Sequence, residues 1–231
     1  MIIKAYLLHS HNIGNTSLSI TLFTQDSGIM RLLYKSGVLA KNRALLQYFQ
    51  LLWVDYSERY SRFYLRSIEH VSLPHRIQDI SLSSAWYVNE LMYVTQYPGQ
   101  SEPMLYDAYE IVLRDMSAVT DRISLERSLR RFERVLLKSL GHDIVLTHTI
   151  EDQQIQHDHQ YTFIPGSGFT LADPGISGSY LLAFAADLLD DPKVLSAAKH
   201  IMRRSIDHAL DGRVLKTRTL GLSMQYQSIS K

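Results

Sequence analysis

The chain has 231 residues, of which 45% are hydrophobic and 20% charged, and it has no cysteine. That excludes disulfides and thiolate-ligated metal sites, and this content of hydrophobic residues without a low-complexity tract argues against a disordered chain. The net charge is only +1, but eight cations in residues 1–70 (Lys4, Arg31, Lys35, Lys41, Arg43, Arg59, Arg62 and Arg66) face four acids (Asp26, Asp55, Glu58 and Glu69), so this part carries +4 and the remainder −3. A basic module joined to a near-neutral one points to an anionic partner, with random scatter of charge as the alternative. No stretch reaches the roughly 18 apolar residues of a membrane span, and Met1 to Tyr6 lack signal-peptide character, so a cytoplasmic protein is expected.

Residues 2–70 read as strands. Ile2 to His9 is the first. Leu18, Ile20 and Leu22 alternate with Ser17, Ser19 and Thr21, Gln25 to Gly28 supply a turn, and Ile29 to Tyr34 resumes the extended pattern as a hairpin. Tyr48 to Tyr56 and Phe63 to Ile68 complete five short strands, with one long connection from Lys35 to Gln47. That pattern predicts a small closed barrel of the OB type.

The period changes after Pro74. Ser81 or Ser83 is placed to cap a helix running to about Tyr97, which Pro98-Gly99 ends. Leu105, Ala108, Tyr109, Val112 and Met116 mark a second helix, and Leu125, Leu129, Phe132, Leu136 and Leu140 a third, with Ser124 as its expected N-cap and Gly141 as its left-handed end. Ile144 to Leu146 and Tyr161 to Ile164 read as short strands, Pro165 to Gly168 as a turn and Gln153 to Gln160 as an exposed loop. Helices resume over Tyr180 to Leu189 and from Asp191-Pro192 to Leu210, with Asp190 and Asp191 as helix-start acids; the tail beyond Gly221 has no period and is expected to be mobile. The expected class is α+β: an OB-fold β-barrel over residues 1–74, then a mainly helical domain over 75–231 with a small β-hairpin lobe near 143–175.

Catalytic signatures are missing. There is no P-loop, no dinucleotide-binding glycine motif and no H-E-x-x-H, and Gly175 to Ser179 lacks the last glycine of a nucleophile elbow. No catalytic residue, metal or cofactor is therefore expected. His148, His157 and His159 leave open a metalloenzyme or hydrolase, against a merely solvated polar loop.

Two basic constellations remain. Arg62, Tyr64 and Arg66 are two apart on one strand face, a guanidinium–aromatic–guanidinium row suited to phosphates and stacked bases, and Arg31, Lys35, Lys41 and Arg43 extend that field. The alternative turns Tyr64 inward and leaves the arginines solvated. On the third helix, Arg127, Arg130, Arg131, Arg134 and Lys138 repeat at helical spacing with no acid inside the stripe, so they should repel unless an anion or acidic partner answers them. Alternatively, Arg130 or Arg131 is structural, buried against Glu90 or Glu110.

At this helix the chain resembles a known family. Leu129-Arg130-Arg131-Phe132-Glu133 with Leu136-Leu137 and Leu140-Gly141-His142 resembles the LRRFE…LL…LGY segment of RecO, the bacterial recombination mediator. Ser17-Leu18 with Leu22-Phe23-Thr24 and Gly28, Tyr87 to Leu91 (Y-x-N-E-L), Ala197-Ala198-Lys199 and Leu215 to Arg218 are similar to its other segments, in order along almost the whole chain. The resemblance implies an OB-fold domain and a helical domain, binding of single- and double-stranded DNA, and annealing of complementary strands. It also implies partnership with RecR and with the acidic C-terminal tail of single-stranded-DNA-binding protein, together loading the recombinase; that tail is assigned to the Arg127 to Lys138 stripe. Many relatives carry a four-cysteine zinc motif after the LGY segment. This chain has none between His148 and Phe169, which predicts a metal-free, remodelled lobe. The usual Lys-Gly-Ala-Arg loop reads Lys35-Ser36-Gly37-Val38, leaving its basic character to Lys41 and Arg43. An RNA-binding or translation-associated barrel is the remaining alternative.

Overall fold

The computed structural model describes residues 1–71, 75 and 77–219. The tail beyond Gly221 lies outside the described residues. Five strands, β1 (Ile2–Ile13), β2 (Ser17–Thr24), β3 (Gly28–Tyr34), β4 (Leu51–Arg59) and β5 (Arg62–His70), close into a barrel in the order β1-β2-β3-β5-β4. The period of two sorts the side chains: Leu18, Ile20 and Leu22 turn inward and meet Leu7, Leu32, Leu52 and Val54 in a fully buried core. β1 serves two neighbours, pairing with β4 from Ile2 to Tyr6 and with β2 from Ala5 to Ile13. A register shift between Leu7 and His9 bends it from one to the other. β1 runs past His9 because Ser10, His11 and Asn12 find ladder partners in Ile20, Ser19 and Leu18. β4 starts at Leu51 rather than Tyr48, since Phe49 takes φ +60° and the Tyr48 and Phe49 rings pack on Trp86, with centroids 4.6 and 5.0 Å away. The barrel closes through a short parallel pairing of β3 with β5, Leu32 opposite Phe63 and Leu33 opposite Tyr64. Between β3 and β4 lies one turn of helix, α1 (Ala40–Arg43).

The chain divides into two compact units, one of residues 1–117 with the segment from Leu215, the other Ala118–Val214. In the first unit, α2 (Asp79–Thr95) and α3 (Pro103–Ala118) accompany the barrel. α2 starts ahead of both expected caps: Gln78 is the N-cap, Ser81 is buried inside the first turn, and the Ser83 hydroxyl donates back to the Ile80 carbonyl. The rings of Tyr6 and Phe23, on the outside of β1 and β2, pack against Tyr106 and Tyr109 of α3 at 5.2–5.9 Å. Asn89 completes this seam. Its amide donates to the Leu7 carbonyl at 3.2 Å and its oxygen accepts the Tyr109 hydroxyl, while the Tyr6 hydroxyl donates to Glu110 at 3.0 Å. Burial, reinforced by the Glu110 carboxylate, pushes the Tyr6 and Tyr106 phenols well up, which keeps them neutral donors.

The same helix holds the end of the described chain. Glu90 accepts from the Lys216 and Thr217 amides and from the Thr217 hydroxyl at 2.6–2.9 Å, and Arg218 bonds the Tyr87 hydroxyl while lying over its ring. Tyr87, Asn89 and Glu90 of the Y-x-N-E-L segment are thus joints of the fold.

The second unit contains α4 (Arg122–Ser139), the sheet β7-β6-β8 formed by β6 (Gln160–Ile164), β7 (Gly168–Leu171) and β8 (Ile176–Ser177), then α5 (Gly178–Ala185) and α6 (Pro192–Leu210). The cap of α4 is Asp121 and not Ser124: the carboxylate accepts the Ser124 amide at 2.9 Å, so the helix begins a turn earlier than expected. Its end is as expected. Gly141 has φ +77°, and the His142 and Gly141 amides return to the Leu137 and Lys138 carbonyls in a Schellman closure. Ile144 to Leu146 do not form a strand: only Leu146 turns into the core, and Val145 is left 59% exposed. α5 stops at Ala185, short of Leu189, as Asp187 turns to φ +59°. Asp191 caps α6 by accepting the Lys193 amide.

Candidate nucleic-acid interface

The outside of the barrel is unevenly dressed. Helical aromatics cover it at Tyr6 and Phe23, whereas the β3–β5 seam is open. On β5, Phe63 and Leu65 face the core, so Arg62, Tyr64 and Arg66 share the outer face; the inward alternative for Tyr64 is excluded. The parallel pairing sets Tyr64 beside Leu33, with Arg31 and Lys35 flanking on the exposed side of β3. Lys35 places its Nζ 5.5 Å from the Tyr64 ring centroid. Five of the seven residues singled out in the barrel thus fall on one face. Lys41 and Arg43 sit on α1, both exposed, at the end of a turn tied down by the Asn42 amide on the Ser36 carbonyl. Among the described residues, none of these six cations enters an ion pair.

The hairpin tip adds a feature that residue patterns did not single out. Arg59 and Arg62 are register partners, and Tyr60 and Ser61 between them take φ +51° and +57°. A two-residue turn with both φ positive normally carries Asn-Gly, and directly opposed cations repel. Tyr60 is nonetheless 98% exposed. An aromatic held in solvent on a strained turn between two guanidiniums gives the fold nothing, and it suits base stacking. The available signal was the run Arg59-Tyr60-Ser61-Arg62 joining two strands.

The stripe on α4 is arranged differently. Arg127 pairs with Asp190, Arg131 with Asp187 at 2.9 Å, and Arg134 donates to the Phe184 carbonyl at 3.1 Å while lying over the Phe184 ring. The connection between α5 and α6 thus answers the repulsion within the stripe from inside the chain. Arg130 is buried and pairs with Glu133 one turn on, at 2.8 Å, not with Glu90 or Glu110. Lys138 is exposed. Outside the stripe, burial raises the Glu126 carboxyl, but bonds from Arg122 and Lys199 outweigh it and hold the group below its ordinary value.

His157 and His159 are exposed and His148 is half-buried, and among the described residues no three metal-ligating side chains gather. No described helix is long and apolar enough to cross a membrane.

A five-stranded barrel closed through a parallel β3–β5 pair, carried in one chain with a helical unit, defines an α+β protein of the OB-barrel class. No family model matches the chain. It is 40% identical over 220 residues to DNA repair protein RecO of Legionella pneumophila (strain Lens), covering 94% of this chain and 96% of the relative. It is 33% identical over 226 residues to DNA repair protein RecO of Salmonella paratyphi B, and 31% over 225 to that of Marinobacter nauticus, each covering 94% of this chain and 92% of the relative. The chain belongs to the RecO family of DNA repair proteins.

Proposed function

We propose that this chain is a non-enzymatic DNA-binding recombination mediator. Its barrel, residues 1–74, takes single- and double-stranded DNA on the β3–β5 face and brings complementary strands together. With RecR and single-stranded-DNA-binding protein it loads the recombinase, in the cytoplasm at the nucleoid. The observation that carries this reading is the contrast between two basic surfaces: Arg31, Lys35, Arg62 and Arg66 surround Tyr64 with no described ion pair, whereas Arg127 and Arg131 of α4 are matched by acids. Cations left open around an aromatic fit a polyanion with stackable bases.

Affinity for single-stranded DNA across a salt series tests it. A neutralised phosphate releases counterions, so each lost contact should lower the log–log slope by about 0.7, and changing Arg62 and Arg66 to Ala by about 1.4. A flat salt dependence, or no binding at low salt, refutes the reading. Direct competition between RNA and DNA decides against or for an RNA-binding barrel.

For the acidic tail of single-stranded-DNA-binding protein we infer docking on the α4 stripe. The tail's carboxylates would replace Asp187 and Asp190 on Arg131 and Arg127 and add Lys138, while Arg134 stays on α5 and Arg130 serves the fold through Glu133. Removing the competing acids, Asp187→Ala with Asp190→Ala, should tighten binding of a tail peptide, and Arg131→Ala with Lys138→Ala should weaken it. Affinity unchanged by both pairs rules out this face.

A further inference from the structure

We propose that the opening between β3 and the β4–β5 hairpin is a slot for one unstacked, amino-bearing base of single-stranded DNA, read by Glu58 and held by Arg31 and Arg62. The inference rests on the DNA-binding reading of the barrel and adds a preference to it.

The barrel wall is incomplete here. β3 and β5 pair only where Leu32 and Leu33 meet Phe63 and Tyr64; Ile29 is met by the Pro98-Gly99 segment, its carbonyl accepting the Gly99 amide at 3.2 Å, and between that contact and the start of β5 the wall is open at Met30 and Arg31. The gap holds a cavity of about 920 Å³, whose lining includes Met30, Tyr56 and Phe63 as apolar walls and Arg31, Arg62 and Glu58 as charged groups. That size is in the range of small-ligand sites, and apolar walls with a few placed polar groups are their usual construction. Phe63 is only partly buried, so part of its ring is available to a planar group.

The charges identify the guest. Arg31 and Asp26 from β3 and the turn before it, and Arg62 and Glu58 from the β4–β5 hairpin, line one cavity, yet among the described residues none of the four is in an ion pair. A purely anionic ligand is served by the arginines and opposed by the carboxylates. A nucleotide satisfies both: its phosphate takes the guanidiniums, and a base with an exocyclic amine donates to a carboxylate. Glu58 is the register partner of Phe63, so the carboxylate and the ring stand at the same level of the slot. Cytosine presents an amino group where thymine presents a carbonyl oxygen, which a carboxylate repels.

The test uses the full chain with oligo(dC) and oligo(dT) of equal length, at one salt concentration and slightly alkaline pH. Oligo(dC) should bind roughly fivefold tighter, the worth of one ordinary net hydrogen bond, since solvent at the open slot weakens the charge-assisted one. Glu58→Gln should bring the ratio to about one, because an amide meets either base edge, and should leave the salt slope and the melting temperature where they were. Two results overturn the slot while the DNA-binding reading stands: salt-sensitive binding with a ratio near one in the parent, or a ratio that Glu58→Gln leaves unchanged. Failure of both oligonucleotides to bind overturns the slot and the reading together.

Discussion

Replacing Tyr60-Ser61 by Asn-Gly should make the barrel more stable and a poorer ligand for DNA. Both residues sit in the left-handed region, at φ +51° and +57°. A side chain with a Cβ costs on the order of 1 kcal/mol at each such position. Asn tolerates the first position and Gly fits the second, but the greater freedom of Gly in the unfolded chain takes back part of the gain, which leaves about 1 kcal/mol net. No buried surface is lost, since Tyr60 is 98% exposed. In urea this should raise the unfolding midpoint by roughly 0.5 M. Both tryptophans, Trp53 on β4 and Trp86 on α2, belong to the barrel-containing unit, so their fluorescence follows this transition. A base stacked on Tyr60 is worth about 1–3 kcal/mol, so affinity for single-stranded DNA should fall by roughly fivefold or more. A lower urea midpoint refutes the strain argument. A higher midpoint with unchanged DNA affinity refutes the role given to Tyr60.

Gly28→Ala should destabilise the same unit by on the order of 3 kcal/mol, because Gly28 has φ +60° and a new Cβ would lie 1.8 Å from the Gln100 carbonyl oxygen. Gly14→Ala, at φ +59° with nothing within 4 Å, should cost only about 1 kcal/mol, so equal costs would dismiss the clash. His9 should make stability fall in mild acid. Burial, then the nearby positive charges of His11 and Lys216, depress its pKa below the ordinary 6.5. The folded state therefore resists protonation, and stability present above 6.5 is lost as the pH drops below it. His9→Phe keeps the ring contact with Tyr93, 4.3 Å away, and should flatten this dependence of the urea midpoint; an unaltered pH profile would count against it.

The parts of this protein that local chemistry dictates were readable from its residues. The barrel strands follow from alternation in Leu18, Ile20 and Leu22, the closure of α4 from Gly141, and the shared face of Arg62, Tyr64 and Arg66 from their spacing. Boundaries failed where a stronger local group or an absent partner took over. Asp121 displaced Ser124 as a cap, and of Ile144 to Leu146 only Leu146 found a place in the core.

What tertiary structure decided was which distant groups meet. The α4 arginines look unanswered over one helix, but Asp187 and Asp190 reach them from more than 50 residues away and convert a repulsive stripe into paired charge. Parallel pairing of β3 with β5 sets Arg31 and Lys35 beside Tyr64 and leaves a gap behind them, which no spacing within either strand encodes. The reason is physical. A helical or strand period is a property of consecutive dihedral angles and is written into neighbouring residues, whereas charge pairing and cavities depend on where the closed chain brings its remote segments. A barrel with a basic aromatic strand face was thus legible in neighbouring residues, whereas the open state of those cations, and the pairing of Arg127 and Arg131 of α4 with remote acids, came from the fold.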